Sequence, residues 1–246
     1  MTEKIKLELW ETPKNVIILE GFPGFGMVGT IAAEAIMDYL KPKLIGRIMT
    51  SRLPALIAIH NKKVVEPLGI FYDAKNNLVI QHAVTNIAGL EWDLSQAVIE
   101  IANILKAKEI ISLEGIGTLA KKSDTKVKQK TFYYSNNPKA REKFELMGVT
   151  PLNEGIIVGV TGTLILRAGE KTKISCLFGE TQSGMPDSRA AAAIIAIIDK
   201  YLGLKVPSDP LIKRAEEFEK KLQGLFSRLK STAEEKGSKE RASYIT

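Results

Sequence analysis

The spacing of apolar residues divides this chain into alternating strands and helices. Residues 15–20 are apolar without alternation, the pattern of a strand buried on both faces. Residues 28–40 follow a helical period, with Ala32, Ala33 and Ala35 small enough for close packing on a sheet, and Pro42 ends the run. A second strand is predicted over 44–49. Residues 55–59 and 64–72 are strand-like and flank His60-Asn61-Lys62-Lys63, a hairpin signal; a turn at 73–77 leads into a further strand at 78–83. Residues 94–106 place Ala97, Val98, Ile101, Ile104 and Leu105 on one helical stripe. A short buried strand at 109–113 is followed by a predicted sharp turn, Glu114-Gly115-Ile116-Gly117-Thr118.

Residues 119–137 are polar and basic as far as Phe132-Tyr133-Tyr134 and read as an excursion over the surface with room for one strand. A short helix is predicted at 138–147, and strands at 155–166 and 173–178 joined by a turn at 169–171. Residues 188–202 form a strongly apolar helical run, capped by Asp187 or Ser188 at its start and by Gly203 at its end. After Pro207-Ser208-Asp209-Pro210, an apolar seam of nearly three heptads runs through Leu211, Ala215, Phe218, Leu222, Leu225 and Leu229. The polar stretch 231–246, ending Ser243-Tyr244-Ile245-Thr246, is expected to be mobile. Together these elements predict an α/β fold with helices on both faces of a mixed central sheet, a three-layer sandwich. The expected organisation is a core domain at 1–206, a C-terminal amphipathic helix at 207–230 and a flexible tail at 231–246.

The most informative string is Gly21-Phe22-Pro23-Gly24-Phe25-Gly26-Met27-Val28-Gly29, between the first strand and the first helix. Within it, Gly24, Gly26 and Gly29 satisfy the dinucleotide fingerprint, which places a pyrophosphate at a helix N-terminus. That chemistry also needs an acid for the ribose at the end of the second strand. The window there holds Gly46, Arg47, Met49, Thr50, Ser51 and Arg52, with no carboxylate. The alternative is a structural turn in which Gly21, Gly24, Gly26 and Gly29 seat the helix on the sheet. No Gly-Lys-Ser/Thr follows, which excludes a P-loop here.

Composition narrows the chemistry further. The one cysteine, Cys176, lies in an apolar strand pattern and cannot form an intrachain disulfide or a cysteine-based zinc site. With only His60 and His82 and no clustered carboxylates, neither a histidine triad nor a dedicated metal site is expected. Glu114, Glu180 and Asp187 stand near glycine turns at predicted strand ends, where they could bind a small polar ligand or serve as caps. The net charge of +7 is spread through mixed-charge stretches such as Lys213 to Lys221 rather than gathered in one basic patch, so nucleic acid is not expected as a partner. No apolar run is long enough to span a bilayer, and no signal-type segment follows Met1; the expected location is the cytoplasm, without membrane association.

Three stretches in order resemble the archaeal proteasome-assembly-chaperone family: the string Gly21 to Gly29, then Glu114-Gly115-Ile116-Gly117-Thr118, then Gly179-Glu180-Thr181 followed by Pro186-Asp187-Ser188-Arg189-Ala190-Ala191. The resemblance spans about residues 15–203. It implies an α/β sandwich of nucleoside-phosphorylase-like architecture without that activity, and a homo-oligomer that contacts α-type subunits of the proteasome core particle. Some relatives carry a C-terminal hydrophobic–Tyr–any tripeptide that inserts between α subunits; here Tyr244 is followed by Ile245 and Thr246 and preceded by Ser243. The expected function is a non-enzymatic, ATP-independent proteasome assembly chaperone or adaptor, with no cofactor and no metal. Its partner-binding residues are expected to be Phe218, Leu222, Leu225, Phe226 and Leu229 on the C-terminal helix, with Tyr244 and Ile245 in the tail. The alternative is a nucleoside- or nucleotide-processing enzyme built on the Gly21 to Gly29 turn, Glu114 and Glu180.

Overall fold

A computed structural model describes residues 5–55, 57–60, 62–117, 129–169, 171–181 and 185–205, together with the isolated helical positions Lys213, Glu217 and Gly224. Its frame is a nine-stranded mixed sheet in the order β1-β3-β6-β7-β2-β8-β11-β9-β10. The strands are β1 (Lys6–Leu9), β2 (Ile17–Gly21), β3 (Lys43–Met49), β6 (Leu68–Asp73), β7 (Leu78–Ala83), β8 (Glu109–Gly117), β9 (Thr131–Ser135), β10 (Thr150–Pro151) and β11 (Ile174–Thr181). β4 (Ala58–His60) and β5 (Lys63–Val65) pair separately as the small hairpin expected around His60. The helices are α1 (Val28–Leu40), α2 (Glu91–Ile104), α3 (Pro138–Leu146), α4 (Gly159–Ala168) and α5 (Ser188–Leu202).

Parallel pairing joins β7, β2, β8 and β11 at the centre, and antiparallel pairing carries the sheet outward on both sides through β6, β3 and β1 and through β9. Helices cover both faces. On one, α1 packs on α5, and their Ile31, Ile36, Ile194 and Ile198 meet Leu19, Ile80, Leu113 and Leu177 of the sheet. On the other, α2 packs on α4, and Leu94, Val98, Ile101 and Leu164 meet Ile18, Val79, Ile110 and Phe178. Alternation along each strand sends odd and even residues to opposite cores. The mixed α/β sheet with helices on both faces is thus as expected.

Several elements differ from expectation. Residues 64–72, expected as one strand, divide between β5 and β6, which lie in separate sheets. Residues 155–166, expected as a strand, contain the start of α4 instead. β-Branched Val and Thr disfavour a helix by at most about 0.7 kcal/mol each. Burying Val160 and Leu164 against α2 and the sheet contributes about 1.5–3 kcal/mol per side chain, so packing overrides propensity. The predicted turn at 114–118 is also mostly strand: β8 runs on to Gly117, because β11 pairs with it residue for residue from Ile110 to Gly117. Among the additions, β1 was not anticipated; it lies at the sheet edge, held to β3 by Arg47, whose guanidinium meets Glu8 at 2.9 Å and Glu66 at 3.3 Å. The strand allowed within 119–137 is β9. It is not a surface excursion but an inner strand beside β11, with Tyr133 stacked towards Phe144 and Phe144 on Tyr201.

The start of α5 is fixed by Asp187, whose carboxylate accepts from Arg189 N at 3.1 Å and Ala190 N at 3.0 Å while the Thr181 hydroxyl donates to it at 2.8 Å. Gly203 ends the helix in the left-handed conformation. Replacing Asp187 by Ala removes an N-cap and a tether to β11. A loss of about 1–2 kcal/mol is expected, read as a lower urea midpoint at unchanged slope.

Candidate functional site

The candidate site lies at the carboxyl ends of the central parallel strands, where an open α/β sheet ordinarily binds ligands. Here β2 ends at Gly21 and the chain passes through a single 3-10 turn, Phe25–Met27, into α1. Gly26 and Met27 are both left-handed, at φ of +63° and +49°. For Met27 that conformation costs on the order of 1–2 kcal/mol, which the contacts around the turn must offset. Gly21 lies against Ala33 of α1, and a Cβ on Gly26 would meet Thr181 of β11.

The close approaches explain the other two glycines. A Cβ on Gly29 would stand 2.1 Å from the Leu113 carbonyl oxygen, so the first turn of α1 rests directly on the backbone of β8. A Cβ on Gly24 would stand 2.1 Å from the Glu114 carboxyl. That carboxyl occupies the concave side of the turn, where its Oε1 accepts from Phe25 N and from Gly115 N, both at 2.9 Å. A backbone N–H from a glycine-rich bend before a helix, joined by one from the neighbouring strand β8, supplies the elements of an anion cradle. In this chain the cradle holds the protein's own side chain.

Glu114 is not isolated. Thr161, on the first turn of α4, donates to its Oε2 at 3.3 Å and lies 2.8 Å from the Ser112 hydroxyl. Ser112 in turn donates to Glu20 Oε2 at 2.5 Å, and Glu20 Oε1 accepts from Phe22 N at 2.8 Å. All four side chains are buried. Burial raises the Glu114 carboxyl to a pKa of about 8, with the nearby Glu20 charge adding to the shift and the bonds from Gly115, Phe25 and Thr161 opposing it. Burial likewise raises Glu20 to about 7, against the bonds from Ser112 and Phe22.

The other sequence-predicted residues separate. Asp187 joins the turn from the far side: its backbone N–H donates to Gly26 O at 3.0 Å while its side chain caps α5. Glu180 is half-buried on β11, level with Ile116, its N–H donating to Lys130 O and its carbonyl accepting from Gln129. His82 is buried on the opposite, α1 face, where desolvation lowers it to about 4; it donates to the Thr30 carbonyl and lies 3.3 Å from Glu34. Cys176 is buried at the level of Ser112, and its thiol is pushed well up by desolvation. Phe218, Leu222, Leu225, Phe226, Leu229, Tyr244 and Ile245 lie outside the described residues. Sequence reasoning missed Glu20, Ser112 and Thr161. The available signal was a carboxylate closing an apolar strand (Val16-Ile17-Ile18-Leu19-Glu20) and a hydroxyl interrupting another (Ile110-Ile111-Ser112-Leu113).

An α/β sheet with a self-filled glycine turn thus brings together the three stretches singled out in the sequence. The chain belongs to the PAC2 family, whose profile matches residues 18–225. Its fold matches the crystal structure of Pyrococcus furiosus PbaA, described as an archaeal homolog of proteasome-assembly chaperone, at a TM-score of 0.80 and 30% identity over 93% of this chain and 99% of that one. It also matches Pyrococcus furiosus PbaB, an archaeal proteasome activator, at a TM-score of 0.72 and 22% identity over 92% and 99% of the two chains. An uncharacterised protein of Methanocaldococcus jannaschii is 28% identical over 225 residues, 91% of this chain and 89% of its own. The family resemblance carried by the glycine string therefore holds. No helix among the described residues is long and apolar enough to cross a membrane.

The buried carboxyls make stability depend on pH. Both have folded pKa values above their unfolded ones, so the native state binds more protons than the unfolded chain between about pH 4.5 and 8, and stability falls as pH rises through that window. His82, depressed in the fold, acts oppositely between about pH 4 and 6.5. From pH 6.5 to 8 only the carboxyl effect remains. Stability is expected to fall there, by up to about 1.4 kcal/mol per pH unit for each carboxyl still protonated. Glu114→Gln, which keeps the acceptor and supplies a neutral donor, should flatten the fall in chemical-denaturation curves. Glu114→Ala should instead destabilise at every pH, by about 1–3 kcal/mol for each orphaned amide.

Proposed function

We propose that this protein is a proteasome assembly chaperone or proteasome-binding adaptor, non-enzymatic and ATP-independent, acting as a homo-oligomer. The observation that carries the proposal is the likeness to PbaA, a homolog of proteasome-assembly chaperone, over nearly the whole of both chains at 30% identity. The occupied cradle supports the non-enzymatic reading, because a phosphate at the glycine turn would have to displace Glu114 from two backbone amides.

In this proposal the core at 1–206 is a scaffold, the segment 207–230 a partner-binding helix and 231–246 a flexible docking tail. The apolar spacing supports the helix assignment: on a helix, Phe218, Leu222, Leu225 and Leu229 recur at three- and four-residue steps as a seam that would have to be covered by the body, a second copy or a partner, with Phe226 as a further proposed contact. The family match continues through residue 225, into this segment. Tyr244 and Ile245 are the proposed tail contacts with proteasome α subunits. Such a tail binds at the cost of ordering, so its removal should weaken capture without harming the fold.

The test is size-exclusion chromatography with light scattering on the full chain and on a variant lacking residues 231–246, each with and without purified archaeal proteasome α subunits. The full chain is expected to elute as a homo-oligomer and to shift into the α-subunit peak. The shortened chain should keep its circular-dichroism spectrum and midpoint but shift less. Equal binding by the shortened chain would overturn the tail assignment, and no shift with the full chain would overturn the proteasome reading.

A further inference from the structure

Three oxygen–oxygen contacts link the two buried carboxyls in series: Glu20 to Ser112 at 2.5 Å, Ser112 to Thr161 at 2.8 Å, and Thr161 to Glu114 at 3.3 Å. Each contact needs one hydrogen to be a bond rather than a repulsion between lone pairs. The two hydroxyls supply two hydrogens. The third has to come from a carboxyl. If it sits on Glu20, that acid donates to Ser112, Ser112 to Thr161, and Thr161 to an ionised Glu114. If it sits on Glu114, every donor reverses and the charge rests on Glu20. The outer oxygens suit either arrangement, since Phe22 N donates to Glu20 and the amides of Phe25 and Gly115 donate to Glu114.

A second observation points to the same place. Gln81 of β7 stands level with Glu20 and shares its face of the sheet. Its side chain is fully buried, and neither carboxamide atom has a partner among the described residues. An unpartnered buried amide is costly. It stands beside Glu20 in register without bonding to it, which leaves an unsatisfied polar group next to the chain of contacts. The other groups on this site are sparse. β11 contributes Cys176, level with Ser112 and held as a thiol by burial. α4 contributes Thr161 and turns Arg167 outward to Gln96 and Trp92. The acids at the start of α2 are engaged elsewhere, Glu91 with Gly89 N and Asp93 with Arg52. His82 lies on the opposite face.

We infer that Glu20, Ser112, Thr161 and Glu114 form a buried proton-binding site that holds one carboxyl proton in common and passes it between the two glutamates through the two hydroxyls. Moving the proton breaks and makes only O–H bonds: one leaves the donor carboxyl, each hydroxyl gives one hydrogen and takes another, and the acceptor carboxyl gains one. No other reactant is required. Loss of the shared proton leaves one of the three contacts without a hydrogen, while Glu114 keeps the amides of Phe25 and Gly115.

The proposal is tested by carbon-13 NMR titration of the glutamate carboxyls in the full chain, in Glu20→Gln, in Thr161→Val and in the double variant. In the native protein the two carboxyls should titrate as a coupled pair that keeps one proton above pH 6.5. In Glu20→Gln the carboxamide supplies the missing hydrogen, so Glu114 should lose its proton at lower pH, by about one unit or more. Thr161→Val preserves shape and both charges but cuts the chain of hydrogens. In that background the Glu20→Gln effect on Glu114 should largely vanish, whereas plain repulsion between two charges would leave it intact. Two carboxyls already ionised below pH 5 in the native protein, or an undiminished Glu20→Gln effect in the Thr161→Val background, would overturn the shared-proton site. The native titration decides even if a variant fails to fold.

Discussion

Everything at the working end of this sheet depends on one carboxyl being held against two backbone amides. The turn after β2 approaches β8 so closely that Gly29 leaves no room for a Cβ beside the Leu113 carbonyl, and Gly24 none beside Glu114. That approach brings Phe25 N and Gly115 N to a single oxygen. Without an acceptor there, a buried donor on Gly115 and a part-buried one on Phe25 would stand unpaired. The Glu114 carboxyl provides the acceptor, and it can remain buried because burial favours its protonated form and the hydroxyls of Thr161 and Ser112 connect it to Glu20.

In this structure the end of the α/β sheet that ordinarily binds ligands is filled by the protein's own side chains. Strand ends that could converge on a substrate converge on one another. β2 supplies Glu20, β8 supplies Ser112 and Glu114, and the junction of β11 with α5 supplies Thr181 and Asp187, with Asp187 N donating back to Gly26. The turn is thereby clamped from both sides. Large apolar side chains such as Leu146, Ile156 and Leu166 stand well exposed on the body.

The sequence disclosed most of the frame. The buried strands at 17–21 and 78–83 and the helices at 28–40 and 188–202 were legible because each is long enough to show its period, and Asp187 and Gly203 marked the ends of α5. Residues 155–166 misled because Ile156, Ile157, Val158 and Val160 carry β propensity, while the burial of Val160 and Leu164 against α2 decided for a helix. β1 was illegible, and so was the inner place of β9 in the sheet, for a related reason: both depend on partners distant in sequence, Arg47 for the first and β11 for the second. The glycine string located the candidate site, and Glu114 was singled out. Its partners were not, since nothing local in the sequence shows that Glu20, Ser112 and Thr161 meet; that follows only from the register of β2 on β8 and from α4 lying across it.

The most direct measurement of whether the turn is closed by the protein itself is thermal unfolding of the full chain at pH 7 with inorganic phosphate, nucleosides and dinucleotides titrated in turn. A ligand that binds the native state must raise the unfolding midpoint as its concentration passes its dissociation constant. No ligand-specific rise is expected, because Glu114 already fills the cradle. A saturable rise with any of these ligands, abolished by blocking the turn with Gly24→Val in a folded variant, would contradict the self-filled turn.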